Sequence, residues 1–205
     1  METLDDIYKT IKGTAEGRNR DKGSKFLSYA YHVETEEEIK GYLNELKKKY
    51  YDATHHCYAW RLGAKGEYYR ANDDGEPSGT AGKPILGQLL SRELTYTLVV
   101  VVRYFGGTKL GVPGLIAAYK DSAADVLDNS EVMVLTEDAY YEIGFGYLVM
   151  NDVMKVIKEY APRVINQKFD NECRMTLAVR RGVEEEFSGK LSDIEGAIVE
   201  FIGYK

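Results

Sequence analysis

The side chains whose types and spacing best suit chemistry cluster in two glycine-rich stretches. The first runs Asn72-Asp73-Asp74-Gly75-Glu76-Pro77-Ser78-Gly79-Thr80-Ala81-Gly82-Lys83-Pro84, and the second runs Arg103-Tyr104-Phe105-Gly106-Gly107-Thr108-Lys109-Leu110-Gly111. Eight of the 20 glycines and three of the four prolines lie between Asn72 and Gly114. Glycine enters backbone conformations closed to other residues and lets another group come close. The two loops therefore read as walls of one site. Asp73, Asp74 and Glu76 supply negative charge, Lys83, Arg103 and Lys109 positive charge, and Ser78 and Thr80 hydroxyls. His56, on a neighbouring strand, can carry a proton because its intrinsic pKa lies near neutrality. These nine residues are the candidate ligand-binding set. Thr80-Ala81-Gly82-Lys83 opens a predicted helix, whose free N–H groups suit an anion. The competing reading is structural: Asp74-Gly75 makes a turn, and Arg103 pairs with a carboxylate to hold the fold.

Standard motifs fail at named positions. A Walker loop needs glycine five positions before the Gly-Lys pair and Ser or Thr after it; here Pro77 precedes Gly82-Lys83 and Pro84 follows. An EF-hand centred on Gly75 would begin at Arg70 and end at Ala81, without either terminal carboxylate. No Gly-x-Gly-x-x-Gly opens a helix after a strand, and no Gly-x-Ser-x-Gly elbow surrounds Ser78. On the strand carrying His55-His56-Cys57, alternation puts His55 and Cys57 on one face and His56 on the other. With His32 and Cys173 far off in sequence, a zinc set is incomplete. No catalytic residue, metal or cofactor is assigned.

Periodicity predicts an α+β protein. In the first half, Ile7–Ala15 and Phe26–Val33 read as strands around a basic turn, Gly17–Gly23, with Arg18, Arg20, Lys22 and, just beyond, Lys25. Thr35 caps a helix with Glu36, Glu37 and Glu38 in its first turn and Lys47, Lys48 and Lys49 in its last. Ala53–Leu62 and Glu67–Ala71 form a hairpin. A helix over Ala81–Ser91, an apolar strand over Thr97–Tyr104 buried on both faces, a helix over Leu115–Leu127 and a strand over Glu131–Thr136 follow. Glu137-Asp138 reads as a junction, giving domains 1–136 and 137–205. The second domain reads as strand 139–145, helix 148–160, strands 163–169 and 173–180, helix 183–191 and strand 197–203. That is the ferredoxin-like βαββαβ order.

The net charge is −6, and neither domain is basic: 18 Lys+Arg against 20 Asp+Glu in 1–136, then 9 against 13. This argues against tight nonspecific nucleic-acid binding, which needs many phosphates neutralised, and leaves room for a local basic patch. No apolar run reaches the ~18 residues of a membrane span. The acidic start Met1–Asp6 lacks a signal-peptide pattern, and two cysteines make no disulfide framework; a cytoplasmic location is the expectation. Seventeen tyrosines, many in pairs, read as half-buried strand positions; the alternative, base stacking at an RNA site, is disfavoured because basic residues do not interleave with them along the chain.

The segments Thr54–Ala59, Asp73–Pro84 and Val102–Gly111 closely resemble the YigZ/IMPACT family. The resemblance implies a first domain of the ribosomal-protein-S5-domain-2-like fold, a four-stranded sheet backed by helices, and a second domain similar to those of elongation factor G. It also implies a link to translational control, in which eukaryotic members bind an activator of an initiation-factor kinase, and no established enzymatic activity. The chain departs from the family pattern after the second loop: Pro113 stands where a glycine is usual, and Ala117 where an arginine is usual.

Three functions are compatible with these residues. The first is a non-catalytic regulator that binds RNA, the ribosome or translation factors, without sequence-specific DNA binding. A second is an enzyme on a small anionic or phosphorylated substrate held between the loops. The third is a protein-interaction adaptor using the Glu34–Glu38 run.

Overall fold

The computed structural model describes residues 6–204; the acidic segment Met1–Asp5 lies outside the described residues. The fold is α+β, in two compact units. One spans residues 8–135, and the other takes residues 136–204 together with Asp6 and Ile7.

The first unit is built on β6 (Thr97–Tyr104), whose sequence TLVVVVRY is buried over its first seven residues. Antiparallel neighbours complete a five-stranded sheet in the order β2 (Thr14–Asp21), β3 (Ser24–His32), β6, β4 (His55–Leu62), β5 (Tyr68–Asn72). Strand alternation sends Val99 and Val101 to one face, where they pack with Phe26, Cys57, Ile85 and Tyr119. Leu98, Val100 and Val102 go to the other face, with Tyr29, Trp60, Ile39 and Leu46. Helices α2 (Gly82–Ser91) and α3 (Gly111–Asp128) cover the first face, and α1 (Glu36–Lys49) covers the second. The start of α1 is a capping arrangement: Thr35 Oγ1 accepts from Glu38 N (3.2 Å), and Glu38 Oε2 accepts from Glu34 N (2.7 Å).

Four expectations are corrected. The predicted strand over 7–15 breaks at Lys12-Gly13 into β1 (Ile7–Ile11) and β2, which join different sheets; β1 pairs with β7 (Val132–Thr136). The basic turn is mostly strand: Gly17–Asp21 belong to β2, and only Lys22-Gly23, with φ 43° and 84°, make the turn. The sheet has five strands rather than four, because β5 extends its far edge. Helix α3 starts at Gly111 rather than Leu115, and Pro113 sits in its first turn, where the missing N–H has no partner to lose.

In the second unit the elements are β8 (Asp138–Phe145), α4 (Met150–Tyr160), β9 (Arg163–Phe169), β10 (Cys173–Arg180), α5 (Glu184–Ser192) and β11 (Ala197–Tyr204). The sheet order β11-β8-β10-β9 is the ferredoxin-like one. Ile143, Leu177, Val153 and Phe187 lie in its core. Asp6 is anchored in this unit: Arg180 approaches its carboxylate at 3.0 and 3.2 Å, and its carbonyl accepts from Glu137 N at 2.7 Å. Among the described residues no helix is long and apolar enough to cross a membrane.

Candidate functional site

Loop one leaves β5 and turns at Asp74-Gly75, where φ is 41° and 88°. Glycine takes the second position at no steric cost. Asp73 folds its carboxylate back over the rest of the loop: Oδ2 accepts from Gly79 N (2.9 Å), and Oδ1 accepts from Ala81 N (3.0 Å) and Gly82 N (2.8 Å). Burial pushes this carboxyl up, but the three backbone donors outweigh it and hold its pKa below the ordinary value. The expected anion site at Thr80–Lys83 is corrected here, because Asp73 already occupies the N–H groups of Ala81 and Gly82. Thr80 Oγ1 is also committed, donating to Pro77 O at 2.6 Å.

Asp74 ties the loop to its surroundings. Its Oδ2 accepts from His56 N (2.7 Å), and its carbonyl lies 2.8 Å from His55 Nδ1. Lys47, in the last turn of α1, stands 3.9 Å from Oδ1. His56 is 7% exposed, and its Nε2 is buried without a protein partner. Desolvation lowers its pKa, partly opposed by the Asp74 charge. The ring is therefore neutral at pH 7.

Glu76 is the centre of the two loops. Its Oε1 accepts from Arg103 Nη1 (2.6 Å) and from the Tyr119 hydroxyl (2.7 Å), with His55 Nε2 at 3.7 Å. Both charged side chains are nearly dry, 4% and 5% exposed. Arg103 Nη2 also donates to Ser24 Oγ (3.3 Å), and the guanidinium lies between the rings of Phe26 and Phe105, at 5.6 and 5.7 Å. Behind Tyr119 lies the Cys57 thiol, 3.3 Å from its hydroxyl and 3.0 Å from Asp73 O. Burial pushes both the thiol and the phenol far above their usual ranges, so neither ionises as a nucleophile or base. Arg103 is the structural ion pair and not an open cation.

Loop two rests on the β2–β3 turn. Gly106 N donates to Ser24 Oγ at 3.2 Å, and a Cβ on Gly106 would stand 2.0 Å from the Gly23 carbonyl carbon and 2.2 Å from Ser24 N. Backbone cannot yield as a side-chain tip can. Gly106→Ala should therefore lose about 1–3 kcal/mol, the usual range for overpacking. Gly87→Ala, inside α2 with open space around the new methyl, should gain about 0.5–1 kcal/mol by helix propensity. Urea unfolding read from Trp60 compares the two; shifts of the same sign would refute the close-packing account of loop two.

The structure thus gathers Asp73, Asp74, Glu76, Thr80, Arg103 and His56, and leaves Ser78, Lys83 and Lys109 exposed outside this cluster. Four members lie outside the candidate set: Tyr119, Ser24, and His55 and Cys57, which the sequence suggests only as metal ligands. Only Tyr119 carried a usable signal, as a large hydroxyl-bearing residue on the apolar stripe of α3 with Leu115 and Ala118. Ala117 is exposed on α3, so the family's usual arginine would face solvent there.

The profile of the Impact N-terminal domain matches residues 22–127, which include both loops and every residue just described. The chain is 43% identical over 126 residues to the IMPACT family member YvyE of Bacillus subtilis, covering 62% of this chain and 58% of that protein. It is 30% identical over 183 residues to the IMPACT family member YigZ of Escherichia coli, covering 88% and 90%. A crystal structure of a hypothetical protein, 28% identical, superposes with a TM-score of 0.71 over 97% of this chain and 98% of that one. Family profile, relatives and fold agree, and the chain belongs to the IMPACT family.

Proposed function

We propose that this chain is a non-catalytic regulator that binds the translation machinery. One observation carries the reading: the buried and half-buried polar side chains of the two loops are spent on fixed partners in the fold, and of the candidate set only Ser78, Lys83 and Lys109 stay exposed. Asp73 is committed to the start of α2, Arg103 and Tyr119 to Glu76, and Asp74 to β4, with Cys57 and Tyr119 kept protonated. A general acid or base needs a positioned proton within reach of substrate, and an anion clamp needs an open cation; Glu76 neutralises the buried one. The loops then serve as a scaffold for a binding surface, in keeping with the translational role that the family resemblance implies.

The enzyme reading loses Arg103 as its anion clamp. The adaptor reading loses part of its motive, because Glu38 caps α1 and Glu37 pairs with Lys40 at 3.7 Å. Co-sedimentation with ribosomes through sucrose gradients at low and high salt tests the proposal. The expected result is association at low salt that falls steeply as salt rises. Protein that stays at the top of the gradient at every salt concentration would sink it.

A further inference from the structure

Beyond α1, on the same sheet face, lies an open groove of about 550 Å³, the size of a small-ligand site. Its floor follows from strand register. Arg18 stands opposite Leu27 and Lys25 opposite Tyr104, all four lining the groove, and Arg20, opposite Lys25 on the same face, stands beside them. Tyr104, Phe105 and Tyr50 form the aromatic walls. Basic and aromatic side chains, separate along the chain, are interleaved here across three strands. This corrects the expectation that they do not mix.

Several other cations of the unit are neutralised by carboxylates. Lys9, Lys12, Lys40, Lys47, Arg92 and Arg103 each have a carboxylate within 4.0 Å. Arg18, Arg20 and Lys25 are exposed, and none pairs with a carboxylate among the described residues. The groove's own acid, Asp52, is engaged by the Tyr104 hydroxyl at 2.7 Å; Glu16 stands opposite Tyr29 at its far end. In a chain of net charge −6, such a concentration of unneutralised charge calls for an anionic partner.

The aromatic rings decide which anion. Phe105 is 48% exposed and backed by the Arg103 guanidinium at 5.7 Å. Loop two holds it in place, since Phe105 N donates to Thr54 Oγ1 at 3.2 Å. An acidic peptide would match the cations and leave these rings unused. An unpaired nucleic-acid strand uses both, with phosphates on the cations and bases stacked on the rings, which only unstacked bases can reach. We infer that this groove binds single-stranded RNA, with phosphates on Arg18, Arg20 and Lys25 and bases on Phe105 and Tyr104. The choice of RNA rests on the translational reading above.

The test uses the full chain and a fluorescein-labelled oligouridine of about twelve nucleotides, by anisotropy over a salt series. Three phosphate contacts predict a slope of log affinity against log salt of about −2. The triple variant Arg18→Gln, Arg20→Gln, Lys25→Gln should remove most of that slope. Phe105→Ala should weaken binding about 5- to 150-fold with the slope unchanged. All four side chains are exposed, and unaltered Trp60 fluorescence verifies folding. Four outcomes overturn the inference: no effect of Phe105→Ala, equal weakening by Lys9→Gln, Lys12→Gln and Lys120→Gln, competition by polyglutamate as effective as by unlabelled oligouridine, or a preference for duplex RNA or oligothymidine. If the protein sediments with ribosomes yet does not bind oligouridine, the groove assignment falls and the translational reading stands. With neither interaction, both fall.

Discussion

Glu76→Ala will destabilise the first unit by about 3–5 kcal/mol, the range for removing one partner of a buried ion pair. The magnitude follows from what stays behind. Arg103 is 5% exposed, lies against two aromatic rings, and among the described residues keeps only Ser24 Oγ at 3.3 Å as a side-chain hydrogen-bond partner. The Tyr119 hydroxyl loses its acceptor in the same step. Arg103→Met should cost a similar amount by leaving the Glu76 carboxylate buried without its cation. In the double variant Glu76→Ala, Arg103→Met, neither charge remains, so the loss should fall short of the summed single losses by about 1–3 kcal/mol. Trp60 is the chain's single tryptophan; it is 6% exposed and packs with Leu98 and Val100 of the same sheet. Its fluorescence in urea therefore reports on this unit. Single losses below about 1 kcal/mol, or a strictly additive double variant, would show that the pair does not hold the loops together.

What the sequence disclosed and what it withheld divide along the range of the interactions. The apolar run of β6 and the strands 163–169 and 173–180 were legible to the residue, because each is set by a local pattern between turn residues. Strand β2 was misread as a turn because it is an edge strand: Arg18 and Arg20 alternate with Gly17 and Asn19, and half-exposed charged residues on an edge look like loop. The candidate loops were legible as a place, and their chemistry was not. Asp73 binds N–H groups six to nine residues away, Glu76 meets Arg103 across 27 residues and Tyr119 across 43. No local propensity encodes those distances; they follow from strand order, which sets β4, β6 and α3 around loop one. The groove was illegible for the same reason, since Lys25 and Tyr104 become neighbours only through the β3–β6 register.

Asp73→Ala will destabilise the first unit by about 2–3 kcal/mol, more than an ordinary N-cap loss of about 1 kcal/mol, because three backbone N–H groups lose a charged acceptor together. Asp73→Asn should lose about half as much: its amide oxygen can still serve Ala81 N and Gly82 N, while its NH2 group confronts the Gly79 donor. The effect has a pH signature of fixed sign. The folded-state pKa of Asp73 lies below its unfolded value, so in the window between them the unfolded chain binds more protons and stability rises with pH. The wild-type advantage over Asp73→Ala should therefore be constant above about pH 5, where the unfolded carboxyl is ionised, and should shrink as pH falls from there through the folded value. An advantage that stays flat down to pH 2 would remove the charge from the explanation. Inorganic phosphate supplies the complementary test. In the wild type the start of α2 is filled by the Asp73 carboxylate, whereas in Asp73→Ala its N–H groups face an open position suited to an anion. Phosphate should then raise the urea midpoint of the variant more than that of the wild type. An equal rise in both proteins would mean that Asp73 does not occupy the anion position at this helix.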